Sequence, residues 1–128
     1  MKQLGMPVTY TKAKLDSEHK DLTTIIKRFL NYPNNWDGEG AQRLSNLTVE
    51  TTLTQLDKFV NKCHELKIFP SIEVFAGQID DIEFTCHLNN KFLGVTCKGS
   101  RVQVIISHIR GTNALALTIE QAADYLAG

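Results

Sequence analysis

Apolar residues recur at helical spacing in the first half of the chain and at every second position in the rest. Leu22, Ile25, Ile26, Phe29 and Leu30 follow the i, i+3, i+4, i+7, i+8 order of one helix face. Asp16 or Ser17 is suited to cap that helix, Glu18 and Asp21 to its positive end, and Lys27 and Arg28 to its negative end. Pro33 stops it just after Asn31 and Tyr32. Ahead of it, residues 1–15 are polar and aperiodic and read as an extended arm, with room for a short strand at "MPVTYTKAKL". Val49, Leu53, Leu56, Val60 and Cys63 then step by fours and threes, which predicts a second helix from a Ser45 or Asn46 cap to about Leu66, its stripe widened by Phe59 and Leu66. Thr48, Thr51, Thr52 and Thr54 are weak helix formers, so packing must hold this helix.

After Pro70 the period becomes two. "SIEVFAG" sets Ile72, Val74 and Ala76 on one face, and "DIEFTCHL" sets Ile82, Phe84, Cys86 and Leu88 against Glu83, Thr85 and His87. Asn89-Asn90 is a tight-turn pair, "KFLGVTC" returns as a strand, "KGS" turns again, and "RVQVIISHI" is the next strand. "TNALALT" has no clear period. "TIEQAADYLAG" reads as a closing helix with Thr118 and Gln121 in capping-box positions. The pattern predicts an α+β fold in one domain, residues 1–128: two N-terminal helices and a short C-terminal helix packed on an antiparallel meander of about four strands.

Composition narrows the function classes. Lys plus Arg is 14 and Asp plus Glu is 14, a formal net charge of zero. That argues against direct nucleic-acid binding, which draws on excess positive charge, and against polybasic membrane docking. Cys63, Cys86 and Cys97 make an odd number with no close pair, which predicts free, buried thiols rather than a disulfide framework. The first residues carry no apolar signal-peptide core, and no run approaches the roughly 18 apolar residues of a membrane span. The expectation is a cytoplasmic protein.

The most distinctive stretch is "NNWDGEGA", residues 34–41, between the two helices, which holds the one tryptophan. Asn35, Asp37 and Glu39 alternate as in a calcium loop, but the twelfth position, where a bidentate carboxylate is needed, is Asn46. A structural reading suits the residues better. Gly38 and Gly40 supply unusual backbone angles, Trp36 folds back into the core, and Asp37 accepts hydrogen bonds from nearby loop amides. With Asn35 these residues form a plug that sets the angle between the helices. Asn35, Trp36, Asp37, Gly38, Gly40 and Ala41 also resemble the Asn-Trp-Asp-Gly-x-Gly-Ala signature of a group of short bacterial proteins of no settled activity. The resemblance covers residues 34–88. It departs where the group has a proline soon after the motif (here "QRLS") and a tryptophan ending the second strand (here "EFTC"). It implies a shared fold unit and a bacterial or phage setting, and no catalytic residue.

Other chemistry is sparse. His19, His64, His87 and His108 show no zinc-finger or metalloprotease spacing. Cys97, His87 and His108 on neighbouring strands form a conceivable but incomplete metal set. The cysteines lie on apolar stripes that disfavour a thiolate, and Ser107-His108 has no acid at a known spacing. Asp80, Asp81 and Glu83 cluster near Glu73 and, in space, near Asp37 and Glu39, balanced by Lys91, Lys98, Arg101 and Arg110 elsewhere. This predicts an acidic end. The leading expectation is a binding protein and not an enzyme, without a cofactor or metal: an immunity or inhibitor protein. Its Asp37, Glu39, Asp80, Asp81 and Glu83 would cover the basic cleft of a toxin or nuclease. One alternative is a metal-dependent hydrolase using Asp37 and Glu39. Another is a homodimer or larger homo-oligomer formed through the last strand, apolar on both faces at 104–106.

Overall fold

The computed structural model describes residues 12–108, 111–115 and 118–128, with side chains for 19–106 and 118–128. The order is α1 (Lys12–Arg28), a 3-10 turn (Phe29–Asn31), α2 (Asn46–Leu66), β1 (Ser71–Ala76), β2 (Asp81–Leu88), β3 (Lys91–Lys98), β4 (Arg101–His108), β5 (Gly111–Leu115) and α3 (Ile119–Ala127). The fold is α+β, an antiparallel meander with three helices.

Two boundaries differ from the sequence expectation. Lys12–Leu15, read as part of an arm, begin α1, so Asp16 and Ser17 lie inside the helix and not at its cap. Lys, Ala and Leu are strong helix formers, and a helix extends beyond the apolar stripe it buries. Residues 1–11, the rest of the expected arm, lie outside the described residues. The meander has five strands in the order β1-β2-β3-β4-β5, and Gly111–Leu115 supplies the fifth. Gly and Asn there depart from strand propensity, so pairing with β4 decides the conformation. The other elements match. Asn89 and Asn90 take φ of 51° and 66°, the left-handed pair of a two-residue hairpin turn. At α3 the Gln121 amide bonds the Thr118 hydroxyl and the Thr118 amide bonds Gln121 Oε1, a full capping box.

The core lies between one sheet face and the helices. Ile72, Val74, Ile82, Phe84, Leu93 and Val95 meet Leu56, Phe59, Val60, Ile26 and Phe29, all essentially inaccessible. α2 lies over β2 and β3, α3 over β3 and β4, and α1 packs on α2. His19 Nε2 sits 2.7 Å from Asp57 Oδ1 across the α1–α2 pair. Cys63, Cys86 and Cys97 are free and buried within this core. Burial pushes the Cys63 thiol up to about 12, and the Cys86 and Cys97 thiols also rise, so none offers a ready nucleophile.

Register sets the second sheet face. Phe75 pairs with Glu83, Glu83 with Thr96 and Thr96 with Gln103 in one row, and Glu73, Thr85, Gly94 and Ile105 form the next. No described helix covers this face. β4 is bonded on both sides, to β3 and β5, so it is not an edge that could add a second copy of the chain. Val104 and Ile106 belong to the helix-covered core and Ile105 turns to the other face, which accounts for the apolar run at 104–106. Cys97 faces the helices while His87 is exposed on the opposite face, so the Cys97, His87 and His108 metal set cannot assemble.

Candidate functional site

Three turns meet at one end of the molecule: the 34–45 loop, the β1–β2 turn and the β3–β4 turn. Pro33 holds Tyr32 extended (φ −74°, ψ 125°) and breaks the helical run, which starts the loop. Within it the Asn35 amide donates to the Ala41 carbonyl at 2.6 Å, and the Gly38 amide to the Asn35 carbonyl at 3.0 Å. Side chains complete the circle. Asn35 Oδ1 accepts from the Gly40 amide at 2.6 Å, and Asn34 Oδ1 from the Arg43 amide at 3.0 Å. Asp37 Oδ1 accepts from the amides of Glu39 (2.8 Å) and Ala41 (3.1 Å). Gly38 and Gly40 sit at φ of 76° and 87°, angles a side chain resists. The motif is therefore a self-bonded loop whose Asn, Asp and Gly positions each have a separate backbone task.

Trp36 departs from the expected plug. It is half-buried, packed against the rim of the core and tilted on Tyr32 with ring centroids 5.2 Å apart; Tyr32 in turn meets Phe29 at 5.4 Å. Its indole Nε1 donates to the Gln42 carbonyl at 3.1 Å. The polar edge of the indole keeps it at the surface while its rings continue an aromatic file from the core.

The loop is clasped to the sheet. Gln78 in the β1–β2 turn donates from Nε2 to Asp37 Oδ2 and reaches Glu39 Oε2 at 3.5 Å, and its carbonyl accepts from the Gln42 amide at 2.7 Å. Asp80, in the left-handed conformation at φ 56°, accepts the Ser45 amide at 2.7 Å. Ser45 is the α2 N-cap, its hydroxyl accepting the Thr48 amide at 3.2 Å. Thr48, wholly buried, completes the junction. Its hydroxyl donates to the Asp80 carbonyl (3.1 Å) and accepts from the Gly99 amide (2.8 Å) and the Ser45 hydroxyl (3.0 Å). One proton and two lone pairs are all used.

The five acids expected to contact a partner do converge here, but three have structural work. Asp37 is buried. Burial acts to raise its carboxyl, but the Glu39 amide, the Gln78 side chain and the Ala41 amide outweigh it and hold the group below the ordinary carboxylate value. Both Asp37 oxygens thus face N–H donors, the opposite of a cation ligand. Asp80 caps Ser45, and Asp81 accepts the Ile79 amide at 3.1 Å while folding over Gly77. Glu39 is exposed beside Gln78. Glu83 lies on the sheet face that no described helix covers, where burial and then the nearby Asp81 charge push its carboxyl up. Among the described residues no group of three or more His, Cys, Asp or Glu side chains is arranged to hold a metal ion.

The expected separation of charge fails at this end. Asp81 pairs in register with Lys98, and Lys98 with Arg101, so acid and base adjoin. Lys91 does lie at the other end, where Nζ donates to the Tyr125 carbonyl at 2.9 Å and sits 5.3 Å from that ring's centroid. Arg110 lies outside the described residues.

The sequence reading missed the apolar component. Among the described residues the exposed large hydrophobics are Leu47 (51 %), Ile79 (54 %) and Val102 (38 %), and all three lie at this end. Ile79 and Val102 line one shallow depression with Asp81, Thr96, Lys98 and Arg101. Leu47 borders the β3–β4 turn, 3.8 Å from where a Cβ on Gly99 would stand. An isoleucine inside the otherwise polar turn "GQIDD" was the available signal. Gln78 and Thr48 left none, since their partners are distant in the chain. Comparisons of the chain with protein-family models, curated proteins and solved structures find no match.

Proposed function

We propose that the protein is a small binding protein of the immunity or inhibitor kind, which neutralises a toxin or nuclease by protein–protein contact and not by turnover. The observation that carries this reading is the exposed apolar trio Leu47, Ile79 and Val102, gathered at one end, with Glu39 and Asp81 beside it and Lys98 and Arg101 at its border. Aliphatic groups ringed by charge on a rigid base are the composition of a protein docking surface. The clasped loop and turns supply the rigid base, with Asp37 and Asp80 holding its shape. Acidic groups at the rim steer a basic partner and speed its arrival.

The hydrolase alternative loses support, because Asp37 spends both oxygens on N–H donors. On the favoured reading the likeness of residues 35–41 to short bacterial proteins is a structural signature, and the protein works in a bacterial or phage-infected cytoplasm. Among the described residues no helix is long and apolar enough to cross a membrane. The test is to purify the tagged protein from its own cell, identify what remains bound, and titrate the captured enzyme's activity. One toxin or nuclease inhibited at one-to-one stoichiometry is expected, with Ile79→Asp weakening inhibition by about tenfold or more. Substrate turnover by the protein itself, or inhibition untouched by Ile79→Asp, Leu47→Asp and Glu39→Lys together, would overturn it.

A further inference from the structure

The sheet face that no described helix covers carries a different feature. Gly94, at its centre, is buried beside Thr85, its partner in register and itself only 7 % exposed. A Cβ placed on Gly94 would stand 3.5 Å from Glu83 Oε2 and 3.6 Å from the edge of the Phe92 ring. A carboxylate and an aromatic ring therefore converge over a floor that has no side chain of its own. Phe92 is braced by His87, whose ring meets it edge-on at 4.7 Å. Half-buried Phe75 stands in the row of Glu83, and half-buried Ile105 pairs with Gly94 in its own row.

Glu83 is out of balance as it stands. It is half-buried, and no described side chain or amide bonds to it, whereas Asp37, Asp80 and Asp81 each accept an amide. A partly desolvated carboxylate without a partner is costly and is relieved by a cation supplied from outside. An arginine fits both walls, because its guanidinium pairs with a carboxylate and stacks on an aromatic ring.

We propose that this face is a second docking surface, and that its occupant is a protein partner presenting an arginine side chain that lies over Gly94 between Glu83 and Phe92. The proposal rests on the binding-protein reading but uses a surface separate from Leu47, Ile79 and Val102.

The test is an amide chemical-shift titration of the whole protein with an acetylated, amidated tri-arginine peptide. The expected result is saturable shifts centred on Gly94, Phe92 and Thr85, with Glu83→Gln weakening binding on the order of fivefold. Gly94→Ala keeps every charge and fills the floor at ordinary contact distance, so it too should weaken binding while the protein stays folded. Shifts spread without saturation over exposed acids such as Asp21, Asp57 and Glu65 would overturn the proposal, as would equal binding by Glu83→Gln. Sedimentation of the protein alone showing a dimer that Glu83→Gln dissolves would also overturn it, by giving the face to a second copy. A captured toxin inhibited equally by the parent and by Glu83→Gln would sink this inference and leave the proposed function standing.

Discussion

The helix–sheet interface and the loop–turn junction hold the same molecule together by different chemistry. At the interface, Phe59 and Phe84 meet with ring centroids 6.0 Å apart among Ile, Leu and Val side chains, and no polar atom is needed. At the junction, few apolar atoms meet, and hydrogen bonds dominate, most of those made by side chains running to a backbone amide or carbonyl. The first kind of contact is tolerant, because any apolar group of similar volume fills the space. The second is particular, because each donor needs its acceptor at the right place, and a missing partner leaves a buried group unsatisfied. A tolerant interface suits a scaffold. A particular one suits a loop and two turns that must present a surface in a single shape.

That contrast can be broken by substitution. Phe59→Ala should cost about 3–5 kcal/mol, measured by denaturant unfolding, because it empties a fully buried site. Thr48→Val removes few atoms and leaves the Gly99 amide, the Asp80 carbonyl and the Ser45 hydroxyl without their partner. It should cost about 2–4 kcal/mol. Thr52→Val is the control: among the described residues its hydroxyl bonds the Thr48 carbonyl one turn back and the Cys97 thiol, and it should cost less than about 1 kcal/mol. If the two threonine variants unfold alike, the junction is not held as described. Trp36→Ala follows at about 1.5–3 kcal/mol, below the value for a fully buried aromatic because the indole is half-exposed.

Acid separates the two regions by sign. Asp37 has a carboxyl lowered in the fold, so it stabilises the protein above its unfolded pKa, and that contribution is lost as pH falls through the folded value. Glu83 has a raised carboxyl, so its contribution is present below the unfolded pKa and is lost as pH rises through the folded value. Unfolding midpoints followed from pH 3 to 7 should therefore fall for Asp37→Asn at the neutral end only, and hold or rise there for Glu83→Gln. Midpoints moving the same way in both variants would contradict the two environments. The smallest effect belongs to the exposed trio: Leu47→Ser and Ile79→Ser should each change stability by about 0.5 kcal/mol or less.

The same contrast explains what could be read in advance. The spacing of Val49, Leu56, Val60 and Cys63, and the alternation of Ile82, Phe84 and Cys86, located α2 and β2 because burial leaves a period behind. Caps and turns were equally legible at Ser45, Thr118 and Asn89-Asn90, where the partner is within a few residues. The junction was not. Asp37 meets Gln78 at a separation of 41 residues, Thr48 meets Gly99 at 51, and neither pairing has a period. The acids read in the sequence as one cluster facing a partner, because composition alone does not tell an acid that accepts a backbone amide from one that faces a ligand. The fifth strand was missed because neighbour pairing, not propensity, forms it.

Thr48 also gives the molecule a clock. The Gly99 amide proton is held by a hydroxyl that is itself tied to the Asp80 carbonyl and to Ser45. It trades places with deuterium when the β3–β4 turn parts from the start of α2 and that bond breaks. Its exchange rate in heavy water thus reports how often the β3–β4 turn lifts from the start of α2, and a ligand seated across the two would slow this one proton.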